Sequence, residues 1–355
     1  MIPMARPAAQ NDAAVEEAAM RVLRSGRYIG GPEVAGFEAE LGKMVGGHAV
    51  GTSSGSTALH AVLMALGVDG GEVVLPAHTF CATLEAVVHA GATPVLVDVD
   101  EDFLIDVDAL GEAVGASTRA VIAVHLFGRL APIEAIQHRM VTADTLSTRH
   151  LIPLVEDSAQ AFPAPPRATA ACYSFFPAKI LGAAGDAGAV ATGDGALAAD
   201  LRARVNHGRR DGVSHALGHN FRLDAVQAAI LRAKLPRVPD MLARRRHIAL
   251  RYLEAFTELP LALPRDASDH RWQCFCVQLD ARDRLRDALA KAGIATAVYY
   301  DPPLHRHPAF VERARFGALP RAERAAARSL CLPIYPELHE REVDQIIDAV
   351  RRFFI

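Results

Sequence analysis

The chain has 355 residues, of which 38 are Lys or Arg and 41 are Asp or Glu, so its formal net charge is −3. A hydrophobic fraction of 51% excludes a disordered polar chain, and the balanced charge excludes a generic nucleic-acid-binding protein. No apolar run approaches the roughly 20 residues of a membrane span, and the first residues lack the apolar core of a signal peptide. The five cysteines show no spacing typical of a metal site. We therefore expect a cytoplasmic protein with reduced thiols and no bound metal, which binds neither nucleic acid nor membrane.

Short apolar runs alternate with helical patterns along the first two thirds of the chain. The pattern predicts helices over 56–66 and 83–89, and strands over 72–76, 94–98, 120–126 and 151–155. Apolar strands without polar alternation, separated by helices, are typical of a parallel sheet that is covered on both faces.

The last third of the chain mixes helices and strands differently. Helices are predicted over 223–235, 243–256, 282–292 and 340–353, and strands over 272–279 and 296–300. We expect an α/β fold with a large, mostly parallel domain over residues 1–235 and a smaller α+β domain over 236–355. Within the large domain, residues 1–30 are expected near the active site.

Lysine is scarce in this sequence, and the chain contains Lys43, Lys179, Lys234 and Lys291. Lys43 and Lys234 lie in amphipathic helical patterns, and Lys291 lies at a predicted helix end, so each has an ordinary structural explanation. Lys179 stands among two phenylalanines, a proline, an isoleucine and a leucine. Desolvation by apolar neighbours lowers the pKa of an amine and makes it a competent nucleophile. A buried structural lysine is the alternative, but it is rare without a partner.

Two further segments follow predicted strands and could complete a site with Lys179. The Gly/Ser/Thr cluster over 51–58 opens into a helix, where backbone N–H groups favour a phosphate, although an ordinary helix cap explains most such clusters. Glu156 and Asp157 follow a strand, either as solvated acids or with Asp157 paired to a cationic ring nitrogen. Phe80 either offers an aromatic face or fills the core. A reactive lysine, a strand-end carboxylate and a phosphate cradle together fit pyridoxal phosphate.

Eight collinear segments, from about residue 10 to the C-terminus, resemble the DegT/DnrJ/EryC1/StrS sugar aminotransferases, which are fold-type I pyridoxal-phosphate enzymes. They cover 26–34, 54–59, 76–80, 91–95, 124–128, 156–160, 174–179 and 218–229. Their shared order and similar spacing make the resemblance far more specific than any one segment.

The resemblance implies a role for each matching residue. Cofactor-binding roles fall on Gly55, Ser56, Phe80, Asp157, Gln160, Ser174, Lys179 and Asn220, and substrate-binding roles on Tyr28, Arg222 and His305. Lys179 would form the Schiff base and shuttle the proton, Asp157 would pair with the ring nitrogen, and Gln160 would lie by the 3-hydroxyl. Phe80 would stack on the ring, while Gly55, Ser56 and Ser174 would hold the phosphate. Asn220 would reach the phosphate from the partner subunit, which implies a homodimer with shared active sites.

The segment over 179–188 is similar to family members that aminate 3-keto sugars. The resemblance therefore implies a nucleotide-linked 3-keto sugar as acceptor and glutamate as amino donor. A 4-keto sugar or cyclitol aminotransferase and a non-catalytic regulator remain as alternatives. A dehydratase offshoot of the family carries histidine at the lysine position, so Lys179 argues against that activity. The sequence departs from the usual pattern at Ile180 and in the longer, more polar stretch over 138–150.

Overall fold

The computed structural model describes residues 1–141 and 151–355, so most of the polar stretch over 138–150 lies outside the described residues. The helices are α1 (Ala13–Ser25), α2 (Gly31–Val45), α3 (Gly55–Ala65), α4 (Cys81–His89), α5 (Val107–Ala113), α6 (Ile133–Arg139), α7 (Gly195–Arg204), α8 (Ala225–Lys234), α9 (Val238–Phe256), α10 (Arg282–Lys291), α11 (Pro320–Arg328) and α12 (Glu340–Phe353). Within the described ranges, no helix is both long and apolar enough to cross a membrane.

The strands are β1 (His48–Thr52), β2 (Glu72–Pro76), β3 (Thr93–Val97), β4 (Thr118–Val124), β5 (Leu154–Asp157), β6 (Ala170–Ser174), β7 (Gly188–Thr192), β8 (Arg209–Arg210), β9 (Val213–Ser214), β10 (Phe275–Gln278), β11 (Arg315–Phe316) and β12 (Ser329–Leu332). Eight of them form one sheet in the order β1-β7-β6-β5-β4-β2-β3-β11. Strand β7 runs antiparallel to both β1 and β6, and the other pairs are parallel. The predicted α/β fold with a mostly parallel sheet is confirmed.

Alternate residues of β2 pack on opposite faces of the sheet, which explains why the strand reads as a continuous apolar run. Val73 and Leu75 pack in the same cluster as Leu59 of α3 and Leu84 of α4. Val74 packs with Leu110 of α5 and with residues of α6 on the other face. Because both faces are covered, every side chain in the middle of the strand must be apolar.

A second apolar cluster lies in the C-terminal part of the chain. It joins Tyr252 and Phe256 of α9 to Phe275 of β10 and Ile346 of α12, where β10 pairs antiparallel with β12. Ile2 also packs in this cluster and forms a bridge with residue 294. The domain boundary between residues 235 and 236 stays a prediction.

Two strand predictions in this region are wrong: one run forms no strand, and the other forms a shorter strand than predicted. The run over 296–300 forms no strand but an isolated bridge between Ala297 and Cys331, and its last two residues lie in a turn at the cavity described below. The run over 272–279 narrows to Phe275–Gln278, since Trp272 adopts a φ of 51°, outside the extended region.

Candidate active site

The predicted cofactor-binding residues meet at the edge of the sheet where β2, β4, β5 and β6 end. They line a cavity of about 440 Å³ between these strand ends and residues 273–274 and 299–300 from the C-terminal part. Of the eight predicted cofactor-binding residues, Asn220 alone is not part of the lining. Ligands bind in this position in open parallel sheets, beyond the carboxyl ends of the strands.

The first turn of α3 forms one wall of the cavity. Ser54 caps the helix: its Oγ accepts from the Thr57 N–H at 3.1 Å, and Thr57 Oγ1 accepts from the Ser54 N–H at 2.9 Å. A Cβ on Gly55 would lie 2.8 Å from Cβ of Ser174, so only glycine lets the helix start approach β6 so closely. Ser56 is exposed at this turn. The result is a cradle of backbone N–H groups and hydroxyls that fits a phosphate.

Asp157 is the last residue of β5 and is buried at the floor of the cavity. Its Oδ2 accepts from Thr83 Oγ1 at 2.8 Å, and its Oδ1 accepts from the Ala159 N–H at 3.1 Å. Burial raises the pKa of Asp157, while these hydrogen bonds and the positive charge of Lys179 act in the opposite direction. A cation in the cavity would complete the pairing of this carboxylate, so the site fits a protonated ring nitrogen.

Lys179 lies in a turn after β6 and is half-buried at the cavity wall. Burial lowers the pKa of its amine, and the nearby Cys274 and Asp157 oppose that shift. Within the described residues, its Nζ makes no hydrogen bond and no ion pair. The amine is therefore free to react with a ligand in the cavity.

Lys234 is less exposed to solvent than Lys179, which corrects the sequence-based interpretation of it as an ordinary lysine on an amphipathic helix. Its side chain is 1% exposed, and Nζ donates to the Gly182 carbonyl at 3.0 Å. Burial also lowers the pKa of Lys234. Its amine is thus occupied in holding the glycine-rich segment that follows Lys179.

Glu156 points to the opposite face of β5 from Asp157, because successive side chains of a strand alternate. Its Oε1 accepts from the N–H groups of Arg167 and Ala168 at 2.7 and 2.9 Å, and its Oε2 lies 3.0 Å from His125 Nε2. Since His125 Nδ1 accepts from a backbone N–H, its Nε2 carries the proton that Glu156 receives. Glu156 is thus neither a solvated acid nor part of the cavity.

Gln160 and Phe80 border the upper part of the cavity together with Tyr300. Gln160 Nε2 donates to the Tyr300 hydroxyl at 3.0 Å, while Oε1 accepts from the Phe127 N–H at 2.6 Å. The Phe80 ring is 51% exposed, with its centroid 5.6 Å from that of Tyr300. An exposed aromatic face in a cavity fits stacking on a flat ring, whereas a core residue would be covered.

Three side chains of the site were not assigned a role from the sequence, and two of them, Thr83 and Gln273, carry no local signal. Thr83, Gln273 and Tyr300 contact Asp157, the Lys179 turn and Gln160 respectively, each across a long stretch of chain. For Tyr300, the one visible hint is the pair of tyrosines at 299–300 shortly before two prolines. Such contacts become apparent only once the chain is folded.

The remaining predicted residues are not part of the cavity lining of their own chain. Tyr28 and Asn220 are exposed, and Arg222 donates to Asn206 Oδ1 at 3.0 Å. His305 is buried, with its Nε2 3.2 Å from Glu323 Oε1. Residues 1–30, expected near the site, contribute no residue to the lining. These assignments stay predictions.

Comparisons with known proteins agree over nearly the whole chain. A sequence model of the DegT/DnrJ/EryC1/StrS aminotransferase family matches residues 9–351. The dTDP-3-amino-3,4,6-trideoxy-alpha-D-glucose transaminase of Streptomyces venezuelae is 42% identical, covering 97% of this chain and 92% of that protein. The UDP-N-acetyl-3-dehydro-alpha-D-glucosamine 3-aminotransferase of Acidithiobacillus ferrooxidans is 39% identical, covering 94% and 91%. The crystal structure of S. venezuelae DesV in complex with a ketimine intermediate has a TM-score of 0.93 at 39% identity, covering 99% and 98%.

Proposed function

Because this chain belongs to the DegT/DnrJ/EryC1/StrS aminotransferase family, the family that its motifs resemble, we propose that it transfers an amino group from glutamate to a nucleotide-linked 3-keto sugar. The names of both relatives refer to position 3 of a nucleotide-linked sugar, which supports the position inferred from the segment over 179–188. Pyridoxal phosphate is the proposed cofactor, and the cytoplasm is the proposed location.

The observation that carries the proposal is the placement of Lys179 and Asp157 on one cavity beside the α3 cradle. Pyridoxal phosphate, when bound, supplies an electron sink for the carbon that carries the amino group. Gly55, Ser56 and Ser174 would bind its phosphate. Asp157 would keep the proton on its ring nitrogen, since the carboxylate already faces the cavity from its floor.

Lys179 has the properties of a group that moves a proton. Burial lowers the pKa of the amine, so a larger fraction of it is neutral near pH 7 than for an ordinary lysine. The neutral Nζ would accept the proton from the carbon that bears the amino group of the donor. During the amination of the acceptor, the ammonium would donate a proton to the former carbonyl carbon, which becomes the carbon that bears the new amino group. Since Nζ has no hydrogen-bond partner among the described residues, no protein contact has to break for this movement.

Phe80 and Gln160 would orient the ring. The exposed face of Phe80 offers an apolar surface to the ring. The carboxamide of Gln160 is held at both ends, by the Phe127 N–H and by the Tyr300 hydroxyl. A side chain that is held in this way loses little rotamer freedom when it binds a hydroxyl.

The visible spectrum tests the cofactor assignment. Protein incubated with pyridoxal phosphate is expected to show an absorption band of the bound cofactor that disappears when glutamate is added and is lost in Lys179→Ala. A colourless protein, or a band that Lys179→Ala leaves unchanged, contradicts the proposal.

The identity of the amino product tests which ketone is the acceptor. Nucleotide-linked 3-keto and 4-keto sugars and a cyclitol ketone are offered in parallel to the loaded protein, and the amino product is identified by NMR. Reaction with the 3-keto sugar supports the proposal, whereas preference for either of the others supports the corresponding alternative. Loaded protein that reacts with neither glutamate nor any ketone supports a non-catalytic regulator.

The shared active site is tested with mixed subunits. Asn220 and Arg222 do not line the cavity of their own chain, which supports a homodimer in which Asn220 completes the partner's site. Lys179→Ala and Asn220→Ala chains are each expected to be poorly active, and refolding them together restores part of the activity, because one of the two sites in each mixed dimer is intact. No recovery contradicts shared sites.

A further inference from the structure

The turn that carries Lys179 is held on both sides by the carboxamide of a single glutamine. Gln273 Nε2 donates to the Ala178 carbonyl at 3.0 Å, and Gln273 Oε1 accepts from the Ile180 N–H at 3.0 Å. The two peptide groups that flank Lys179 are therefore fixed by one side chain, which comes from a segment more than ninety residues later in the chain.

Gln273 is itself anchored by its backbone. Arg245, whose side chain is 2% exposed, donates through Nη1 to the carbonyls of Trp272 and Gln273 at 3.1 and 3.3 Å and to Ile334 O at 2.8 Å. The next N–H, of Cys274, donates to Phe127 O at 3.2 Å. The carboxamide thus projects from a backbone that is tied both to the C-terminal part and to the segment after β4.

We propose that Gln273 is a positioning residue for Lys179: it fixes the backbone on both sides of the lysine and thereby keeps the amine directed into the cavity. The side chain of Lys179 makes no hydrogen bond within the described part of the chain, so its direction depends on its backbone. A carboxamide is required because one backbone group needs a donor and the other an acceptor. The consequence for catalysis rests on the proposed function.

The same segment offers a matched control. Gln227 of α8 accepts through Oε1 from the Ala184 N–H at 2.9 Å, and Lys234 holds Gly182. Gln227 is therefore a glutamine that holds the same glycine-rich segment, but five residues beyond Lys179 and through one hydrogen bond. Gln227→Met and Gln273→Met remove the same chemical group from one segment.

The test measures the reactivity of Lys179 in the full-length chain after pyridoxal phosphate has been removed. Acetic anhydride labels the neutral amine, and mass spectrometry of the peptide containing Lys179 gives the labelling rate as a function of pH. In the unchanged protein, Asp157, Cys274 and burial set the midpoint of this profile. Gln273→Met is expected to let the turn relax toward water and to raise the midpoint toward the ordinary lysine pKa of about 10.4. Gln227→Met is expected to leave the midpoint in place.

A kinetic measurement on the loaded enzyme accompanies the labelling. A misdirected amine lowers kcat, on the order of 10- to 10²-fold, while KM for glutamate changes little. If Gln273→Met does not fold, Gln273→Asn is used, because its carboxamide is one methylene shorter and reaches only one of the two backbone groups. Its midpoint is expected to lie between that of the unchanged protein and the ordinary lysine value.

A folded Gln273 variant with an unchanged midpoint overturns the proposal. An equal rise in Gln227→Met also overturns it, because any loosening of the segment would then suffice. Labelling with acetic anhydride needs neither cofactor nor substrate. A shifted midpoint in a chain that never transaminates therefore contradicts the proposed function alone, and an unshifted midpoint in an active enzyme contradicts the role of Gln273 alone.

Discussion

Two lysines and two carboxylates can be grouped by their surroundings, not by contact with each other: one of each lines the cavity, and the other two are packed outside it. The cavity pair is Lys179 and Asp157, and the packed pair is Lys234 and Glu156. Burial lowers the pKa of both lysines. The pairs differ in what surrounds them: Lys234 donates to Gly182 and Glu156 accepts three hydrogen bonds, whereas Lys179 has no partner within the described ranges. Unused bonding capacity that faces a cavity, and not burial, distinguishes the pair that acts on a ligand.

Replacing the lysine of each pair should give the largest difference in turnover between the two pairs. Lys179→Ala removes the group that moves the proton, and turnover is expected to fall by about 10²- to 10⁴-fold. Lys234→Met is expected to retain most of the turnover. The measurement is the initial rate with glutamate and the preferred keto sugar, with circular dichroism to verify folding. Equal losses in the two folded variants would show that the comparison is wrong.

Asp157→Asn should lower turnover by on the order of 10²-fold, because an amide cannot stabilise a proton on the ring nitrogen as a carboxylate does. The fold should tolerate the change: the amide oxygen can accept from the Ala159 N–H, and the hydroxyl of Thr83 can rotate to accept from the amide. Stopped-flow absorbance of the loaded protein mixed with glutamate measures the effect. A variant as fast as the parent refutes the assigned role of Asp157.

Glu156→Gln should act on stability. Three donors converge on this carboxylate, from Arg167, Ala168 and His125, so the amide group of glutamine would face at least one of them. The free energy of unfolding is expected to fall by about 1–3 kcal/mol, measured by urea denaturation. The band of bound pyridoxal phosphate should persist. Lost turnover at unchanged stability would instead place Glu156 with the cavity pair.

Lys234→Met should have the smallest effect, of about 1 kcal/mol at neutral pH, for the hydrogen bond to Gly182. Because the pKa of Lys234 is lower in the folded than in the unfolded chain, the unfolded chain binds more protons between the two values. The stability of the parent therefore gains a contribution as pH rises from the folded pKa toward the ordinary lysine value. Urea denaturation at pH 7 and at pH 10 should show that the methionine variant lacks this gain. If the free energy of unfolding changes with pH by the same amount in both proteins, the lowered pKa of Lys234 is contradicted.

Local pattern was sufficient where burial is uniform along an element. The helix over 340–353, which buries one face, and the strand over 72–76, which is covered on both faces, were predicted with the bounds that the structure has. Lys179 could be selected from four lysines by its apolar neighbours. Asp157, Phe80 and the cluster over 51–58 could be proposed from their places after predicted strands, whereas the roles of the other site residues came from the resemblance.

Contacts between distant segments escaped prediction. The helix α8 was predicted, but an amphipathic pattern does not reveal that its last residue, Lys234, reaches the Gly182 carbonyl across the core. Gln273 similarly stood in a predicted strand, whereas its carboxamide bonds to the Lys179 turn. The energies that decide such placements arise only when two distant segments pack together.

The antiparallel direction of β7 determines how the cavity can change without the sheet. A parallel strand after β6 would require a crossover to the opposite end of the strands, whereas β7 returns directly, so both ends of the segment over 175–187 stay near the cavity. Its first part carries Lys179 and its last part contributes Asp186 to the lining. Changes near Asp186 can therefore alter the shape of the cavity while β6 and β7 keep their register, so the cavity can change separately from the sheet that supports it.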